Sequence, residues 1–235
     1  MEKINTVTID TKSLLDKDER LENNSSPKSL RSNKNSPLKG CKILYLGSSV
    51  TNGSASQGVS FVEYIAKRND TEYVKEAANG TTLVEGKNSY IERLLKIDKG
   101  QSFDLVICQL STNDATQNKP LGTPKLTKKP NTNTVCGAIE FIANYVKDTW
   151  NCPLIFYTNA YYENENYAKM VAAVNEIARL YDIGVIDLYT DEKFNNISAK
   201  KRELYMADNV HPTKTGYLEW WTPQIEDYLI NYLTK

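Results

Sequence analysis

From residue 42 onward the chain alternates short apolar runs with segments whose apolar residues recur every three or four positions, a pattern that predicts strands and helices in turn. Residues 42–46 (KILYL) are the first run, of a length suited to a buried strand. Val59, Val62, Ile65 and Ala66 follow at helical spacing. A second strand is expected at 72–76, then a helix over about 88–97 with Tyr90, Ile91, Leu94 and Leu95 on one face. Residues 104–110 (DLVICQL) are almost continuously apolar, as strands covered on both faces of a parallel sheet are. The next stretch, 111–133, is rich in Thr, Lys, Asn and Pro and longer than most α/β connections, so it is either functional or mobile. A helix over about 134–150, a strand at 153–158, a helix over about 164–181 and a strand at 184–188 complete the series. Repeated β-α-β units with right-handed crossovers imply an open parallel sheet with helices on both faces.

Residues 1–37 lack such a period and are rich in Ser, Asn, Lys and Asp. They are expected to be a polar arm or linker ahead of a domain spanning 38–235, with a short strand where Val7 and Ile9 alternate with threonines. At 235 residues, 40% of them hydrophobic, the chain can bury one α/β core.

Charge narrows the function classes. Basic and acidic residues balance at 29 each, and no basic run interleaved with aromatics supplies a footprint for nucleic acid. No segment approaches the ~20 apolar residues that span a bilayer, and no apolar stretch follows the N-terminal residues, so a cytoplasmic protein with no membrane partner is expected. Four cysteines without a CxxC pair, with a single histidine, do not make a usual zinc ligand set; free thiols in or near the core are expected, and no metal.

In open α/β sheets, sites form where the loops leave the carboxyl ends of the strands. Ser49 follows the first strand, Asn79 and Gly80 the second, Asn113 and Asp114 the third, and Asp208 and His211 the last, so all fall at one edge. A serine hydroxyl needs a base within about 3 Å, and imidazole is suited to the task. His211 is the only one available, and a carboxylate three residues earlier, Asp208, can reach its Nδ1 and leave Nε2 facing the serine. Donors for a developing oxyanion are at hand in the N–H groups of Ser49 and Gly80 and the amide of Asn113. Ser48 is a rival nucleophile by adjacency. Asp208 could instead cap the final helix, and Asp114 is expected to organise its loop rather than act as an acid.

These residues resemble the sequence blocks of the SGNH (GDSL) hydrolases. Gly47-Ser48-Ser49-Val50-Thr51 is similar to the first block, Ala78-Asn79-Gly80 to the glycine block, Ser111-Thr112-Asn113-Asp114 to the third, and Asp208 to His211 to the DxxH block. The resemblance runs from about residue 40 to 217. It implies a three-layer, flavodoxin-like α/β/α sandwich, Ser49 as nucleophile, Asp208 and His211 as its relay, an oxyanion hole of Ser49, Gly80 and Asn113, and no metal or organic cofactor. Two positions depart from the pattern. Ser48 stands where the family usually has aspartate and Ser111 where it usually has glycine.

A carboxylic ester hydrolase working through an acyl-enzyme is therefore expected. Its substrate would be a small-molecule or oligosaccharide ester, with O-deacetylation of a carbohydrate the first choice. A general short-chain esterase, a lysophospholipase-like acylhydrolase, or a catalytically weak glycan-binding protein of the same fold are the alternatives. Tyr161, Tyr162, Trp220 and Trp221 follow strand ends or His211, and Tyr161 and Trp220 are the candidate substrate-binding aromatics; packing of the core is the competing role.

Overall fold

Each interior strand sends alternate side chains to opposite faces, and both faces are covered. A computed structural model describes residues 25–234. Its five strands are β1 (Lys42–Gly47), β2 (Glu72–Ala77), β3 (Leu105–Gln109), β4 (Leu154–Tyr157) and β5 (Gly184–Ile186), all parallel in the order β2-β1-β3-β4-β5. The register aligns Ile43 with Leu105 and with Tyr73, Val106 with Leu154, and Ile155 with Gly184.

Leu44, Leu46, Val106, Cys108, Leu154 and Phe156 face one core, and Ile43, Tyr45, Leu105, Ile107, Ile155 and Tyr157 face the other. The helices in chain order are α1 (Ser49–Asn52), α2 (Phe61–Asn69), α3 (Tyr90–Leu94), α4 (Thr112–Thr116), α5 (Val135–Thr149), α6 (Glu165–Tyr181), α7 (Glu192–Asn195), α8 (Ala199–Tyr205), α9 (Lys214–Gly216) and α10 (Thr222–Leu233), with a π-helical turn at Tyr217–Trp221. Residues of α3, α5 and α6 fill the first core; α2, the π turn and α10 fill the second. The result is the three-layer α/β/α sandwich.

Helix limits follow local chemistry. Ser60 and Glu63 form a capping box on α2, which ends at Asp70 in the left-handed region; Thr134 and Asn164 cap α5 and α6, and α6 ends at left-handed Asp182. The two sheet edges differ. β5 is only three residues long, whereas β2 is six, with Glu72, Lys75 and Glu76 among them; Lys75 pairs with Glu63 of α2 at 2.5 Å.

The helix expected over about 88–97 is shorter, and Leu95, read as part of its buried face, is half exposed. Residues 111–133 open with α4 and then run as a strap pinned across α5 and α6. Lys125 N–H donates to Glu140 Oε1 (2.9 Å), Thr127 N–H to the Tyr181 hydroxyl (3.0 Å), and Asn144 Nδ2 to Thr127 O (2.9 Å). A cavity of about 780 Å³ lies beneath the strap, lined by Leu126, Lys128, Asn144, Pro153, Leu180 and Ile183 at the N-terminal ends of β4 and β5.

Residues 25–37 lie against α2: Ser25 O accepts from the Tyr64 hydroxyl (2.6 Å), Asn33 N–H donates to Arg68 O (2.6 Å), and Ser36 Oγ donates to Asn69 Oδ1 (2.5 Å). The strand expected around Val7 and Ile9 falls outside the described residues. Cys41, Cys108, Cys136 and Cys152 are free thiols, two of them buried. Among the described residues no helix is long and apolar enough to cross a membrane.

Candidate active site

β1 ends at Gly47, and the chain turns through Ser48 into α1, whose first residue is Ser49. The turn closes only on glycine, because a Cβ at position 47 would sit 1.7 Å from Thr51 Oγ1. Beneath it lies Gln109, the one polar residue inside β3. Its Oε1 accepts from Ser48 N–H (2.9 Å), Ser48 Oγ (3.2 Å), Thr51 Oγ1 (2.9 Å) and Thr51 N–H (3.3 Å). Thr51 Oγ1 is also 2.6 Å from the Tyr157 hydroxyl. Ser48 is fully buried, with its hydroxyl bonded to Gln109. Gln109 receives the hydroxyl that stands where the family usually has a carboxylate.

Ser49 is 7% exposed, and its Oγ lies 2.8 Å from His211 Nε2, across 162 positions of sequence. On the other side of the ring, His211 Nδ1 is 2.8 Å from Asp208 Oδ2. Asp208 Oδ1 accepts from the N–H groups of Val210 (2.7 Å) and His211 (2.8 Å). Burial works to raise the Asp208 pKa, but the bonds from Val210 N–H, the His211 ring and His211 N–H outweigh it and hold the carboxyl below its ordinary value. An ionised Asp208 accepts a hydrogen bond from Nδ1–H, so Nε2 presents its lone pair to the serine hydroxyl.

The histidine loop is a small closed unit. Met206 and Pro212 form an isolated antiparallel bridge, Ala207 N–H donates to His211 O (2.8 Å), and Thr213 N–H donates to Tyr205 O (2.9 Å). Besides the bond to Ser49, contacts that fix it to the rest include Asn159 Nδ2 to Val210 O (3.3 Å), Lys214 Nζ to Gln57 Oε1 (2.6 Å), the Tyr64 hydroxyl to Lys214 O (3.4 Å), and the Tyr217 hydroxyl to Val50 O inside α1 (2.7 Å).

The three expected oxyanion donors converge on the same strand ends. Ser49 N–H heads α1, where a helix leaves its N–H groups without intrahelical partners. Gly80 sits at φ +74°, a backbone that side chains resist, with open space where a Cβ would project. Its loop is tied to the turn and helix that carry Ser48 and Ser49 by Ala78 N–H to Gly47 O (3.3 Å) and by Asn52 Nδ2 to Asn79 Oδ1 (2.9 Å). Asn113 Nδ2 donates to Thr81 O at 2.9 Å, which fixes the amide beside that loop while its second hydrogen stays available.

Ser111 caps α4 by accepting from Asp114 N–H (3.3 Å), and its hydroxyl lies 3.5 Å from Thr81 O. Its Oγ therefore stiffens the loop. Asp114 is buried and receives Leu83 N–H (2.7 Å) and Val84 N–H (3.1 Å); burial raises its pKa against those bonds. It organises the loop, as expected of it.

The two aromatic candidates separate. Tyr161, beyond the end of β4, is 49% exposed and leans on Tyr189 at 5.2 Å between ring centroids. Trp220, read as a substrate-binding residue, is instead a core residue. It stacks on Phe194 at 4.5 Å and donates its indole N–H to Phe194 O (2.9 Å). The π turn rotates Trp220 and Trp221 together into the second core. Sequence reasoning missed Arg93, whose buried guanidinium reaches Gly47 O, Glu76 O and Thr81 Oγ1, and it missed Gln109. A lone amide inside an apolar strand was the available signal for Gln109. For Arg93 there was none beyond its place on the face of α3 that turns inward.

Residues 45–218 match the GDSL-like lipase/acylhydrolase family. A search of curated proteins gave no match. Among solved structures, a Bacteroides ovatus protein described as a GDSL-like lipase superimposes with a TM-score of 0.63 at 18% identity, covering 82% of this chain and 99% of its own. An acetyl xylan esterase from the rumen bacterium Butyrivibrio proteoclasticus gives 0.58 at 15% identity, over 86% of this chain and 66% of its own. An acetyl-xylooligosaccharide esterase from Geobacillus gives 0.57 at 16%, over 83% and 94%. At these identities the likeness concerns the fold.

Proposed function

Since the chain belongs to the GDSL-like lipase/acylhydrolase family, we propose that it hydrolyses carboxylic esters through an acyl intermediate on Ser49, and that its substrate is an O-acetylated carbohydrate. The observation that carries the reading is the unbroken chain from Ser49 Oγ to His211 Nε2 and from His211 Nδ1 to Asp208, each step 2.8 Å.

Ser49 Oγ attacks the ester carbonyl as its proton passes to His211 Nε2. The carbonyl oxygen becomes an oxyanion facing Ser49 N–H, Gly80 N–H and the Asn113 amide. Collapse breaks the ester C–O bond, and the imidazolium returns its proton to the departing alcohol oxygen. Water then gives a proton to Nε2 and adds to the acyl carbon, and the second collapse releases the acid and restores the serine hydroxyl. Asp208 stays ionised throughout and steadies the imidazolium.

Two features support the carbohydrate half of the reading. The surface near Ser49 and His211 carries the partly exposed Asn52, the exposed amides of Gln57 and Asn79, and exposed Tyr161, groups that bond or stack on hydroxylated rings. Two of the similar structures are esterases of acetylated xylan or xylooligosaccharide.

A nitrophenyl acetate assay tests the mechanism: Ser49→Ala should lose about 10⁴-fold in kcat with the fold intact. Retained turnover would end the reading. A panel of acetylated xylooligosaccharides, simple short-chain esters and lysophospholipids, compared by kcat/KM, tests the substrate. Preference for either of the last two would replace the carbohydrate.

A further inference from the structure

Arg93 has an unusual position for a charged group. It is buried, it makes no ion pair with a carboxylate among the described residues, and its guanidinium carbon lies 5.2 Å from the Tyr90 ring centroid. Removing a cation from water without a counter-ion is costly, so something must use the whole fork of donors. Nη2 donates to Gly47 O (2.8 Å) and to Thr81 Oγ1 (3.1 Å), Nη1 to Glu76 O, and Nε to Asn88 O (3.3 Å). Burial lowers its pKa, yet an arginine so placed keeps its proton.

The acceptors are the informative part. Gly47 is the last residue of β1, two before Ser49. Glu76 lies at the end of β2, from which the loop bearing Gly80 departs. Thr81 closes that loop, with its hydroxyl donated to Ala78 O (2.7 Å) and its carbonyl receiving the Asn113 amide (2.9 Å). One guanidinium therefore links the backbones that carry Ser49 N–H and Gly80 N–H and, through Thr81, the side chain of Asn113. A lysine could offer charge there but could not span carbonyls on two strands and a loop hydroxyl together.

We infer that Arg93 is the positioning residue of the oxyanion hole, setting the relative placement of its three donors without touching substrate. The inference rests on the reading of Ser49 as nucleophile. Its action is felt when the tetrahedral intermediate forms, because donors displaced by a fraction of an ångström still admit the ground-state ester but no longer meet the oxyanion.

The test is a KM-against-kcat split with chemical rescue. Arg93→Ala should lose about 100-fold in kcat, the scale of one lost oxyanion donor, with KM within about three-fold of wild type. Guanidinium chloride at tens of millimolar should restore part of the kcat of Arg93→Ala and none of that of Ser49→Ala. Arg93→Lys should fall between wild type and Arg93→Ala, and it decides the matter by the same split if Arg93→Ala does not fold. A folded variant with wild-type kcat, a loss in which KM rises as much as kcat falls, or a failure of guanidinium to rescue would each overturn the inference. Activity surviving in Ser49→Ala would mark the failure of the nucleophile reading instead.

Discussion

The two halves of the proposed charge relay are held in opposite ways. The nucleophile turn is over-determined: Gln109 Oε1 alone gathers four donors from Ser48 and Thr51, Tyr157 backs Thr51, and almost every atom involved is out of water. The histidine loop lies at the surface, with side-chain exposures of 26% for His211 and 57% for Asp208, and a single β-bridge closes it. The serine is thus fixed by buried polar bonds whose loss is costly to stability, whereas the base is fixed by bonds in partial solvent whose loss is costly chiefly to orientation. Damage to the first should register as melting, and damage to the second as lost turnover.

The strongest break is on the exposed side. His211→Ala should lose about 10⁴-fold in kcat with Tm unchanged within about 2 °C, by ester assay and calorimetry. In the native enzyme kcat/KM should rise with pH through one ionisation, since imidazole must be neutral to accept the serine proton. Asp208, held below the ordinary carboxylate value, keeps its charge across that rise; whatever stability its bonds provide is present above the unfolded carboxyl pKa and is lost only as pH falls through the lower folded one. A profile that does not rise with pH would take the base role from His211.

Asp208→Asn is the next largest. It presents an amide to Nδ1 and favours the wrong tautomer, a change that costs about 10⁴-fold where the carboxylate is buried. With water able to reach this loop, a loss of roughly 10²- to 10³-fold is expected, again with little change in Tm. A fall as large as that of His211→Ala would show the loop to be more rigidly determined than its exposure suggests.

Gln109→Leu should reverse the signature. Stranding the buried donors of Ser48 and Thr51 should cost about 3 kcal/mol, a Tm fall of roughly 6 to 12 °C in a chain of this size, with kcat reduced by about ten-fold. Equal damage to Tm from Asp208→Asn would erase the contrast. Tyr161→Ala should be mildest, with KM for acetylated oligosaccharide raised about five-fold and KM for nitrophenyl acetate unchanged.

The same contrast decided what the sequence could reveal. The apolar runs at 42–46, 104–110 and 153–158 announce β1, β3 and β4 because those strands are buried on both faces; the candidate residues Ser49, Gly80 and Asn113 each follow a strand, whereas Asp208 and His211, expected after the last strand, come two helices beyond β5 and were placed by their block. α3 proved shorter than its pattern, since Leu95 continues an apolar spacing after the backbone has left the helix. Trp220 was misjudged because sequence adjacency to the histidine loop says nothing about the π turn that swings its ring inward. The clamps made by Gln109 and Arg93 depend on contacts reaching from one strand or helix to another, which no local spacing encodes.

The sheet's two open sides differ in a way that bears on the chain's behaviour at high concentration. Among the described residues, β5 offers too little backbone to template a neighbour, but β2 has length enough, and a second copy docking there would have to bury the exposed carboxylate of Glu72 and crowd the Lys75–Glu63 pair. A charged edge of this kind disfavours edge-to-edge pairing of one copy with the next.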